Sequence, residues 1–71
     1  MCYLVTATPT AATTGIKIDY LAIFEEATEE HTPEQLARLD AERIIRTGYN
    51  NVRVWKIHAT PRLEQQVVWS A

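Results

Sequence analysis

The chain has a single cysteine, Cys2, so no intrachain disulfide can staple it. Its two glycines, Gly15 and Gly48, are too few for a phosphate-cradling loop, and no G-x-S-x-G segment is present. No apolar run approaches the roughly 20 residues that a membrane-spanning helix needs. The opening Met-Cys-Tyr-Leu-Val-Thr lacks the basic residues and the apolar length of a secretory signal, so a cytoplasmic protein is the simplest expectation. Positive charge is also scarce. A net charge of −2 and a pI near 5.6 are far from the basic footprint typical of nucleic-acid binders.

The length of 71 residues gives one domain, 1–71. A domain this small buries only about 60% of the surface its unfolded chain exposes, and without disulfides a metal or a second subunit becomes a natural supplement. Charge is unevenly placed. Residues 1–35 carry a net −5 and residues 36–71 a net +3, which favours attraction within the fold or between copies.

The strongest local signal is a helix over 33–47. Thr32 is an N-cap residue, Pro33 suits the first helical position, and Gln35 stands where a capping box places it. Gly48 follows as the left-handed terminator, with Tyr49 placed to fold back on the last turn. Leu36, Ala37, Ala41, Ile44 and Ile45 form an apolar stripe suited to covering a sheet. Glu34 with Arg38 and Glu42 with Arg46 are favourable i, i+4 pairs. Two residues break the pattern. Asp40 lies inside the stripe, where Arg43 or Arg53 can pair with it, and Leu39 lies outside it beside Arg43 and Arg46.

Around this helix the sequence predicts four strands. Residues 2–8 are rich in β-formers and end at Pro9. The small residues of 9–15 form a loop. Residues 16–25 fit a strand, with Ile16, Ile18, Tyr20, Ala22 and Phe24 on one face, but 19–30 also fit a helix capped by Asp19. The strand is preferred because the first strand needs a neighbour for its ladder groups. After an Asn50-Asn51 turn, 52–59 and 63–69 complete the set. In the last strand Leu63, Gln65, Val67 and Trp69 are expected to share one face.

The expected fold is therefore α+β: a small antiparallel sheet of about four strands with one helix on one face (ββαββ), the alternative being βααββ with 19–30 helical. One helix covers one face. Trp55, Ile57, Leu21 and Ile23 are left on the other and need a cover of their own.

Catalytic chemistry finds little to work with. Glu25, Glu26, Glu29, Glu30 and His31 have the residue types of a metal site but no ligating spacing, and read as a solvated connector. Cys2 has no local cation or helix N-terminus to stabilise a thiolate, and neither His31 nor His58 is tied to it by any motif. No enzyme activity, cofactor or metal is expected. Tyr49, Arg53, Trp55, Lys56 and Arg62 interleave basic and aromatic side chains on the 53–62 hairpin, which gives the alternative of a small single-stranded nucleic-acid binder.

In size and element order the chain resembles many short proteins encoded by phages and mobile elements, some of which bind and inhibit host factors. That likeness implies a non-enzymatic interaction protein with a protein partner. The expected contact residues are Leu39, Arg43, Arg46, Arg53, Trp55 and Ile57, because aromatics and arginine dominate interface energetics. A homodimer or small closed oligomer is expected as well.

Overall fold

The computed structural model describes residues 2–13, 15, 18–58 and 65–71. Its elements run β1 (Cys2–Thr8), β2 (Tyr20–Phe24), α1 (Pro33–Thr47), β3 (Asn50–Ile57) and β4 (Gln65–Ser70). The strands form one antiparallel sheet in the order β2-β1-β3-β4, with α1 packed on one side. The fold is α+β of the ββαββ kind. The second half of the 19–30 region is not helical: β2 ends at Phe24, and no regular element lies between it and α1. Pairing with β1 settles the ambiguity, because it satisfies backbone groups that β1 would otherwise leave open on that side.

The helix is bounded as its sequence dictates. Thr32 Oγ1 accepts from the Gln35 amide at 3.2 Å, and the Thr32 amide donates to Gln35 Oε1 at 2.8 Å, closing the capping box. At the other end Gly48 has φ +111°, and the amides of Gly48 and Tyr49 both reach the Ile44 carbonyl. A Cβ on Gly48 would stand 2.6 Å from Ala12 Cβ, so glycine is required by packing as well as by backbone. The 10–13 loop is held there: Thr10 Oγ1 donates to the Gly48 carbonyl at 2.6 Å, and the buried Thr13 hydroxyl donates to the Thr10 carbonyl.

The core lies between sheet and helix. Tyr3, Val5, Ala7, Val52 and Val54 from the sheet meet Ala37, Ala41 and Ile44 from α1. Tyr20, Ala22, Phe24 and Trp69 pack around them. Ile45, expected in the buried stripe, is exposed, and Leu36 is half-buried; the centre of the interface is taken by small alanines that let α1 approach the sheet. The Glu34–Arg38 pair does not form as an ion pair, since the Arg38 guanidinium lies over the Trp69 ring at 5.4 Å.

Two register shifts revise the strand reading. Asn50 and Asn51 belong to β3 rather than to a turn, and Asn51, at φ +56°, sits in the irregularity between the Thr6 and Thr8 pairings. Asparagine tolerates that left-handed conformation better than other non-glycine residues. In β4 the shift lies between the Val54–Trp69 and Trp55–Val67 pairings, leaving Val68 as the extra residue. Val67 and Trp69 therefore do not share a face as simple alternation predicts: Trp69 joins Val54 on the helix side and Val67 joins Trp55 on the other. Ile16, Ala59, Arg62 and Leu63 lie outside the described residues.

Candidate protein-interaction face

The side of the sheet away from α1 is organised in cross-strand rows. Ile23, Leu4, Trp55 and Val67 align through successive pairings to form an apolar row across all four strands. Leu21, Thr6, Arg53 and Ser70 form the row beside it, and Cys2, Ile57 and Gln65 the row on its other flank. Leu21 is 61% exposed, Ile23 56% and Val67 42%, while Leu4, Trp55 and Ile57 are half-buried by their neighbours.

Trp55 is held in place by a hydrogen bond. Its indole Nε1–H donates to Thr6 Oγ1 at 2.8 Å, on the adjacent strand. The polar edge of the ring is thus satisfied within the sheet, and what remains for a neighbour is apolar. Arg53 and Asp19 line a shallow depression at the rim together with Thr6, Leu21 and Asn51.

The molecule is flat, 37 × 31 × 18 Å. Its accessible surface of 5082 Å² exceeds the roughly 4,500 Å² expected for a folded monomer of 8.1 kDa. Among the described residues, α1 covers one side of the sheet and no element covers the other.

The six contact residues expected from sequence fall in two places. Arg53, Trp55 and Ile57 lie on the open face, joined there by Leu4, Leu21, Ile23 and Val67. Leu39, Arg43 and Arg46 are exposed on α1, on the opposite side of the molecule. Leu4 and Thr6 were not singled out by sequence reasoning; their place depends on β1 being central, which its composition does not disclose.

Arg43 is already engaged. Its guanidinium donates to Asp40 Oδ1 at 2.9 Å and to the Tyr20 hydroxyl at 3.0 Å, and Tyr20 Oη donates to Asp40 Oδ2 at 2.6 Å. This is the pairing that Asp40 needs; Arg53 faces the other way. Tyr20 stacks at a tilt on Tyr49, ring centres 5.4 Å apart. Burial first, then the Asp40 carboxylate, raises the Tyr20 phenol above its ordinary pKa of 10.0. The Asp40 carboxylate likewise raises the Arg43 guanidinium above its ordinary value.

Neither basic hairpin chemistry nor metal chemistry is concentrated anywhere among the described residues. Lys56 pairs with Tyr3 on the helix side while Arg53 is on the open side, and Arg62 lies outside the described set. No group of three metal-ligating side chains occurs among the described residues, and no helix there is long and apolar enough to cross a membrane. Comparison with known proteins finds no matching family model, no matching curated protein and no matching solved structure.

Proposed function

We propose that this is a small non-enzymatic interaction protein that pairs with a second copy of itself through the open sheet face and binds, or inhibits, a protein partner. The observation that supports the reading is the apolar row Ile23–Leu4–Trp55–Val67, left uncovered by the only helix among the described residues. Ile23 and Val67 are the exposed members of the row, and full burial of an aliphatic side chain of that class is worth roughly 1.5–3 kcal/mol, a large share of a small domain's stability. Two copies related by a two-fold axis can lay these faces together, as sheets pack at about 10 Å. The short interaction proteins of phages and mobile elements, which the chain resembles in size and element order, offer a precedent for the inhibitory role.

Single-stranded nucleic-acid binding is the weaker reading, since Arg53 and Lys56 point to opposite sides. Tryptophan quenching tests the choice. In a Trp69→Phe background, acrylamide quenching of Trp55 should fall as protein concentration rises and stay unchanged on adding oligonucleotide at low salt. Quenching independent of concentration but suppressed by oligonucleotide supports the nucleic-acid binder instead.

A further inference from the structure

We infer that the outer edge of β2 accepts an added β-strand from a partner protein, and that the added segment alternates apolar residues and is flanked by lysine or arginine. The inference rests on the interaction reading above for there being a protein partner, but places the contact at the strand's edge, where it shares Leu21 and Ile23 with the broad face.

Within its own five residues, Tyr-Leu-Ala-Ile-Phe, β2 carries no charge, proline or bulge to blunt it as an edge strand, and its register with β1 runs from Tyr20 to Phe24 without a shift. The opposite edge differs: β4 is interrupted by its bulge at Val68. Beside the β2 edge stand the three most exposed large hydrophobic residues described, Ile18, Leu21 and Ile23. An added strand gains backbone hydrogen bonds from the edge and places alternate side chains against Leu21 and Ile23. Edge groups point along the sheet plane, so a second copy on the broad face does not compete for them.

Charge selects the occupant. Every charged residue described from 18 to 37 is acidic: Asp19 precedes β2, and Glu25, Glu26, Glu29, Glu30 and Glu34 follow it. Two β2 strands paired antiparallel about Ala22 would set Asp19 of one copy against Glu25 of the other, which is repulsive. A foreign strand with basic residues meets attraction at Glu25 and Glu26, and less at Asp19, which lines one depression with Arg53 and follows Lys17 by two residues.

Selection of random displayed peptides on the folded protein tests this. Enrichment of alternating apolar segments with basic flanks is expected, and enrichment should vanish on a Leu21→Lys, Ile23→Lys variant whose circular dichroism matches the parent. Peptides synthesised from the selected sequences and N-methylated at alternate residues complete the test on the unmodified protein. One of the two methylation frames should lose at least about tenfold in affinity and the other little, because a paired strand offers every second amide to its neighbour. No enrichment, enrichment of helical spacing or acidic flanks, or equal tolerance of both methylation frames overturns the inference. Because the oligomeric state is read separately, a failed selection leaves self-association through Trp55 standing, and a monomeric protein leaves the strand-addition result standing.

Discussion

Trp55 and Thr6 face each other diagonally across β1 and β3, and the 2.8 Å bond between indole nitrogen and threonine hydroxyl fixes a large aromatic ring on a face that no element among the described residues covers. An unpartnered tryptophan in that place could swing away. This one is held with its polar edge already satisfied, so covering it asks for no desolvation of an unpaired donor.

Thr6→Val keeps the shape of residue 6 and removes the acceptor. The folded state should lose about 1 kcal/mol, the usual net value of one such hydrogen bond. Trp55 emission should broaden as the ring samples other positions, measured with Trp69 replaced by Phe. A urea midpoint and an emission band equal to the parent's would mean that the bond does not order the ring.

Gly48→Ala meets two penalties at once, the positive φ and the 2.6 Å approach to Ala12. A loss of about 1–3 kcal/mol is expected from the backbone strain, with more from the contact. Ala12→Gly in the same chain should recover only the contact share. Complete recovery by the double variant in urea denaturation would show that backbone strain plays no part.

The Tyr20 phenol has its pKa raised above 10.0 in the folded state, first by burial and then by Asp40. The folded protein therefore holds this proton more tightly than the unfolded chain. Its contribution is complete below pH about 10 and is lost as pH rises through the higher folded value. Tyr20→Phe should be less stable than the parent at neutral pH, where the bonds to Asp40 and Arg43 are gone, and should lose less stability on going above pH 10. Parallel alkaline unfolding profiles for the two proteins would contradict this assignment.

Legibility in the sequence followed the range of the interaction concerned. The α1 boundaries rest on contacts within a few residues, Thr32 with Gln35 and Gly48 with Ile44, and could be read directly. The 16–25 stretch fits two periods, and only its pairing with β1 decides between them. The Val68 bulge has no glycine or asparagine to mark it in Gln-Gln-Val-Val-Trp-Ser, so alternation wrongly kept Trp69 on the face of Gln65 and Val67. Asp40 announced a need for a partner, and Arg43 at i+3 was foreseeable, but Tyr20 lies 20 residues away and only the fold brings it there. On the open face Trp55, Ile57, Leu21 and Ile23 were legible from strand parity. The separation of Leu39, Arg43 and Arg46 from that set was not, because it depends on which sheet face the helix covers.

Sedimentation equilibrium across a concentration series is the most direct measure of the central claim, that the Ile23–Leu4–Trp55–Val67 face is covered by a second copy. The parent should fit a monomer–dimer equilibrium with dimer dominant at tens of micromolar. Trp55→Ala should shift it toward monomer by at least about tenfold in dissociation constant, the effect of an interface residue worth more than about 1.4 kcal/mol. Ile57→Asp should do the same, while Leu39→Ala on the far side should not. A parent that stays monomeric throughout, or a dimer indifferent to Trp55→Ala and Ile57→Asp, would contradict the account.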